Sequence, residues 1–124
     1  MNGLTELPST LAELLNVLRV LPEIESARRK CGPRPLLEDL RRRAARAPER
    51  GAVRRRCLRR AIAWVDRCLG ANCFRRTLLE TALDRGAASE AVSLGFSTGG
   101  AQLSGHAWLG AEEQPVTYDF TVKL

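Results

Sequence analysis

A thiol, an imidazole and a carboxylate are the groups in this chain that could do chemistry together. Asn72 is of the type that caps helix N-termini, which puts Cys73 in the first turn of the helix that follows. There the positive end of the macrodipole and the unpaired N–H groups favour the nucleophilic thiolate, and Arg75 and Arg76 add positive charge nearby. His106 is the single histidine. On an extended chain it shares a face with Ser104 and Trp108, while Leu103, Gly105, Ala107 and Leu109 line the other. A hairpin centred between Glu112 and Glu113, with a loop from Ala111 to Gln114, sets Gly110 against Pro115 and His106 against Asp119. Directly opposed Cβ atoms lie about 4.5–5.5 Å apart, within reach of a hydrogen bond from an imidazole N–H to a carboxylate. Taken singly, His106 reads as a structural strand residue more readily than as a catalyst, and Asp119 as an ordinary surface residue.

The other cysteines suit other roles. Cys57 and Cys68 fall on the apolar face of the preceding helical stretch, where a free cysteine packs as a small core residue. Cys31 sits in a Gly-Pro turn with no base partner. No metal is expected, because the spacings from Cys57 to Cys68 and from Cys68 to Cys73 match no C-x-x-C pattern and only one histidine is present. Gly95, Gly99, Gly100 and Gly105 form neither of the phosphate-cradling glycine loops, and Ser97, Thr98 and Ser104 stand in no nucleophile elbow. No cofactor is implied.

The elements that must hold these groups follow from periodicity. A cap at Ser9 and the stripe Leu11, Leu14, Leu15, Leu18 predict an amphipathic helix ending near Pro22. After the break at Cys31 to Pro35, Leu36, Leu37 and Leu40 begin a second, very basic helix that stops before Pro48. A third buries Cys57, Leu58, Ala61, Ile62, Trp64, Val65, Cys68 and Leu69 and ends at Gly70. The helix opened by Cys73 runs through Leu78, Leu79, Ala82 and Leu83 towards Gly86. Then the period shortens to two: Ala91 to Phe96, Leu103 to Leu109 and Val116 to Lys123 read as strands. Helices followed by a small antiparallel sheet make an α+β fold.

Composition sets the outer bounds. A chain of 124 residues, 44% apolar and 27% charged, fits one compact domain, able to bury about 65% of its unfolded surface. Six aromatic residues leave the core to Leu, Val and Ala. The first twenty residues lack a basic n-region and carry Glu6 and Glu13, so they do not read as a secretory signal, and a cytoplasmic protein with reduced thiols is expected. The longest uncharged run, Ala91 to Ala111, is too rich in glycine and hydroxyl residues for a membrane span. The net charge of +6 hides a block: from Arg28 to Arg67 fifteen basic residues face four acidic ones, and the rest of the chain is net negative. Such a block suits an anionic partner or, equally, a solvated helix face.

The ordered set Cys73-Phe74-Arg75-Arg76-Thr77, Gly95-Phe96-Ser97, Gly105-His106-Ala107-Trp108 and Asp119 resembles the transglutaminase-like cysteine proteases that act as leader peptidases in lasso-peptide biosynthesis. In that family a Cys opens a helix with Arg and a small hydroxyl residue three and four positions later, here Arg76 and Thr77, and a His-Ala-Trp strand and an acidic partner follow. The likeness covers residues 73 to 120. It reaches the first 56 only through their helical, basic character. Ser97 and Gly110 stand where the family often has a basic and an acidic residue, departures that bear on substrate contacts.

The resemblance implies a transglutaminase-like or papain-like arrangement, a Cys-bearing helix packed on the sheet. Residues 1–56 would form a helical, Arg-rich region and 57–124 the catalytic region of one compact domain. It further implies a Cys-His-Asp triad: Cys73 as nucleophile, His106 as general base and acid, and Asp119 orienting the ring, with a thioester acyl-enzyme as intermediate. The Cys73 backbone N–H and the Asn72 side chain are the oxyanion candidates. The implied substrate is a precursor peptide cut between leader and core. The implied partners are a separate leader-binding protein, docked on Arg54, Arg55, Arg56, Arg59 and Arg60, and a macrolactam synthetase in the same pathway. No membrane partner is expected. Two other readings stay open: acyl transfer to an amine at the same triad, and a basic nucleic-acid-binding module. Against the second, no known binding motif or set of stacking aromatics accompanies the arginines.

Overall fold

The computed structural model describes residues 3–97, 104–110 and 120–124. Five helices, α1 (Gly3–Lys30), α2 (Pro33–Ala44), α3 (Ala52–Leu69), α4 (Cys73–Leu83) and the single turn α5 (Arg85–Ala88), precede three strands, β1 (Val92–Ser97), β2 (Ser104–Leu109) and β3 (Phe120–Lys123). The architecture is mixed α+β, mostly helical with a small antiparallel sheet.

α1 departs from its expected form in two ways. It continues through Pro22 to Lys30. Proline removes one hydrogen bond and crowds the preceding turn, but Val17, Val20 and Ile24 are buried on either side of it and hold the two halves in one line. The helix is also rotated from the face that the leucine stripe predicts. Leu11, Leu15 and Leu18 are exposed, Leu15 to 70%, while Glu6, Thr10 and Glu13 are buried. The arginines of α3 account for this. Arg56 and Arg60 grip Glu6, and Arg50, on the turn before α3, grips Glu13 with Nη2 to Oε1 at 2.9 Å and a second bond from Nε to Oε2. Turning the leucines inward would leave the buried Arg50 without its carboxylate, the costlier alternative.

α2 starts with Pro33 and Pro35, preset for a first helical turn, and buries Leu36, Leu37, Leu40 and Ala44. α3 buries Cys57, Leu58, Ala61, Ile62 and Val65 and stops at Gly70, whose φ of 91° suits glycine. Cys68 and Leu69 do not join this face. Both are exposed, because the last turn of α3 points Asp66 inward to the arginines of α4. One core joins Val17, Leu37, Leu58, Leu78 and Leu79 to Val92 and Leu109 of the sheet. The division expected between residues 56 and 57 falls inside α3.

The strand order is β2-β1-β3, antiparallel throughout. The expected β2–β3 hairpin is therefore not the pairing formed. β1 is the best buried strand, with Val92 fully buried and Ser93 nearly so, and takes the centre, where both of its edges are paired. Val122 registers with Leu94, and Leu124 exchanges two hydrogen bonds with Val92 at 3.2 and 2.7 Å. His106 consequently lies opposite Gly95. Asp119 and the loop from Ala111 to Gln114 lie outside the described residues.

Candidate functional site

Asn72 opens α4. Its backbone is extended, and its Oδ1 accepts the Arg75 N–H at 2.9 Å while its carbonyl takes the Arg76 N–H at 3.0 Å. Of the N–H groups that begin the helix, those of Cys73 and Phe74 thus have no bond within α4. The Asn72 side chain is committed through its oxygen to the cap. One turn on, Thr77 donates its hydroxyl to the Cys73 carbonyl at 2.9 Å.

Arg75 and Arg76 are both tied to Asp66. Arg75 is buried, with Nη2 at 2.6 Å from Asp66 Oδ1 and 2.5 Å from the Gly70 carbonyl, and Arg76 Nε lies 3.1 Å from Asp66 Oδ2. These contacts lock the first turn of α4 to the end of α3.

β2 meets the sulfur through its backbone. The Ala107 N–H donates to Cys73 Sγ at 3.3 Å. Ala107 faces Leu94 at a position of the ladder without reciprocal hydrogen bonds, since these alternate from the Gly110 N–H to Ala91 carbonyl bond at 2.8 Å. Its N–H therefore points away from β1, to the side of β2 where Cys73 receives it. His106 is the preceding residue. Alternation turns Ala107 and Leu109 towards the helices and His106 and Trp108 to the other face, where their rings stack with centroids 5.9 Å apart.

Two hollows meet at Cys73, His106 and Ala107. One, of about 220 Å³, is polar, with Arg59, Arg76, Thr77 and Glu80 on its wall. The other, of about 260 Å³, is apolar, with Pro33, Phe74 and Leu94. Cys73 and His106 are thus brought to the same hollows. Glu80 was not singled out from the sequence. Its signal was the spacing 73, 77, 80, which places Cys, Thr and Glu on one helical face.

Five arginines of α3 are engaged within the molecule. Glu80 Oε1 accepts Arg59 Nε at 2.9 Å and Arg55 Nε at 3.1 Å, and Arg55 also reaches Glu90 and Asp84. Burial works against the charge on Arg55, but its bonds to Glu90 and Glu80 outweigh that and raise its pKa above the ordinary value. Arg56 and Arg60 hold Glu6, and Arg54 stands 3.7 Å from Glu13. The five arginines expected to dock a partner therefore each have an internal carboxylate.

Among the described residues, no group of three or more His, Cys, Asp or Glu is placed to hold a metal ion, and no helix is long and apolar enough to cross a membrane. Cys57 is fully buried, with Sγ 3.9 Å from the Glu6 carbonyl, whereas Cys31 is exposed. No protein-family model, curated protein or solved structure matches the chain.

Proposed function

We propose that the protein is a cysteine peptidase that cuts a ribosomally made precursor peptide between leader and core, in the manner of the lasso-peptide leader peptidases. One observation carries the reading: Cys73, at a helix N-terminus, is fastened by the Ala107 N–H to the strand edge next to His106, and both residues line a polar and an apolar hollow. A sulfur at a strand edge with a hollow on each side suits an extended peptide with its scissile carbonyl at that sulfur.

In this mechanism the Cys73 proton passes to His106 and the sulfur attacks the carbonyl carbon. The negative oxygen so formed is met by the Cys73 backbone N–H, which has no partner within α4. Collapse breaks the C–N bond, and the imidazolium returns its proton to the leaving amine, leaving a thioester. Water, deprotonated by His106, hydrolyses the thioester and frees the leader carboxylate. The resemblance to the leader peptidases gives Asp119 the role of orienting His106. A separate leader-binding protein and a macrolactam synthetase are the partners this reading carries with it.

The test is mass spectrometry of a precursor peptide, with the leader-binding protein present, after incubation with the wild type, Cys73→Ala or His106→Ala. The wild type should give leader and core with a new carboxyl terminus. Cys73→Ala should give neither, and His106→Ala should be slower by about 10²–10⁴. Equal cleavage by the wild type and Cys73→Ala would remove Cys73 as nucleophile, and an amide to an added amine in place of the carboxylate would make the enzyme an acyltransferase.

A further inference from the structure

A second concave surface lies away from Cys73. Between α1, α2 and the turn that precedes α3 is a cleft of about 740 Å³ bordered by Arg19, Arg42, Arg43, Arg46 and Arg50, with no carboxylate on its wall among the described residues. These arginines are not equally occupied. Arg50 is consumed by Glu13 and the Leu83 carbonyl. Arg42 and Arg43 hold Asp39 and Glu23 in exposed pairs, which exchange partners at little cost. Arg19 donates to Asn16 Oδ1 at 3.2 Å, and Arg46 makes no ion pair among the described residues. Two guanidinium groups are thus without a carboxylate and two more are readily released, all at one concavity.

We infer that this cleft is a docking site for an acidic peptide segment. Guanidinium forks take carboxylates in bidentate fashion. Between the arginines the wall is aliphatic, from Val20, Pro48, Ala82 and Leu83, which suits a peptide with alternating acidic and apolar side chains. No aromatic side chain lines the cleft, so it lacks the stacking platform that single-stranded nucleic acid uses.

The position of the cleft gives it a role that rests on the peptidase reading. Leu83 ends the helix that Cys73 begins, so the two lie about 15 Å apart along the α4 axis at 1.5 Å per residue. An extended chain covers that distance in about five residues. The acidic segment of a substrate would therefore lie at least about five residues from the bond that is cut, and the cleft would hold the precursor by a part that does not react.

Binding is measured apart from cleavage, with full-length Cys73→Ala protein and the fluorescein-labelled peptide Glu-Leu-Glu-Glu-Leu-Glu-Glu-Leu, by fluorescence anisotropy at low and at physiological salt. Adding Arg19→Glu and Arg46→Glu should weaken binding at least tenfold. The charge-matched pair Arg29→Glu and Arg67→Glu, outside the cleft, should change it less than threefold. The milder pair Arg19→Ala and Arg46→Ala, which introduces no new charge, should fall between them. Equal weakening by the two reversal pairs, or no effect of either, would overturn the cleft as a site. A twelve-base-pair DNA duplex that binds more tightly than the peptide and is lost with the same cleft variants would overturn the acidic peptide as its ligand. A protein that binds the probe through the cleft yet leaves every precursor uncut keeps this inference and loses the peptidase reading.

Discussion

Cys73 Sγ accepts the Ala107 N–H at 3.3 Å, so the first residue of α4 and the outer side of β2 share a contact across 34 positions of sequence. The donor faces away from the β1–β2 ladder, so it can be removed without breaking a strand-to-strand hydrogen bond. Ala107→Pro does this while leaving the strand ladder intact, and sets its ring Cδ against the sulfur in place of the hydrogen. Cleavage should fall at least tenfold with a loss of only a few degrees in melting temperature. Unchanged cleavage by a folded variant would show that the contact does not help to position the sulfur.

The four cysteines should separate by accessibility. At neutral pH iodoacetamide should modify the exposed Cys31 and Cys68 and the half-buried Cys73, and Cys57, with no exposed surface, only after unfolding. Peptide mapping by mass spectrometry reads all four. Rapid modification of Cys57 in the native protein would contradict its burial beneath α1.

The orientation of α1 gives the sharpest stability test. Val17 is fully buried and Leu15 is 70% exposed. Val17→Ala should cost about 2 kcal/mol and Leu15→Ala at most about 0.5 kcal/mol in urea unfolding. The reverse ranking would put the leucine stripe back in the core.

That stripe also shows where sequence reading stops. Period and capping located the helices and strands, because Leu36, Leu37 and Leu40, or Leu78 and Leu79, have no competing use. In α1 two sets of residues competed for the inside, and the winner depended on arginines 37 to 54 positions away. The sheet order was hidden for a similar reason: local turn chemistry favours a hairpin between neighbouring strands, whereas burial of Val92 and Leu94 rewards a central β1. Cys73 and the residues after it were legible because a cap acts locally. The contact of its sulfur with a strand backbone was not, since no side-chain pattern encodes an N–H.

Glu13 is fully buried against Arg50, itself 6% exposed. Removing the carboxylate alone, as in Glu13→Ala, strands a buried cation and should cost about 3–5 kcal/mol, whereas Glu13→Leu with Arg50→Leu should cost less than the sum of the single changes. Chemical denaturation of the double-mutant cycle checks this, and additive costs would deny the coupling.

Acid should weaken the same region. The Arg56 hydrogen bond holds the Glu6 carboxyl below its ordinary range against the opposing effect of desolvation. For Glu13, burial pushes upward, but Arg50, Asn16 and Arg54 together bring it below the usual value. A carboxyl with a lowered folded pKa adds stability that is complete above its unfolded value of about 4.3 and drains away as pH falls through the folded one. Melting temperature should therefore drop below about pH 4.5, and Glu6→Gln should start lower at pH 7 and lose less in acid. Parallel wild-type and Glu6→Gln curves would remove Glu6 as a contributor.

Gly110, after β2, has φ of 62°, and a Cβ there would come within 2.8 Å of Glu90 Oε1, a carboxylate engaged by Arg55. Gly110→Ala should cost about 1–2 kcal/mol from the left-handed backbone, before any displacement of Glu90. Thermal melting measures it, and an unchanged midpoint would contradict the turn geometry.

α4 is clamped at both extremities by guanidinium groups, Arg75 on Asp66 and Gly70 at its beginning, and Arg50 on the Leu83 carbonyl at its finish. It cannot slide or unwind by a turn without abandoning a cation in a place that water reaches poorly. The location of the thiol is thus enforced by the expense of every other location more than by the strength of any one bond. A rod held in this way, with eight of its eleven residues buried and Arg76 alone exposed, leaves little room for change along its length and least at its two tips.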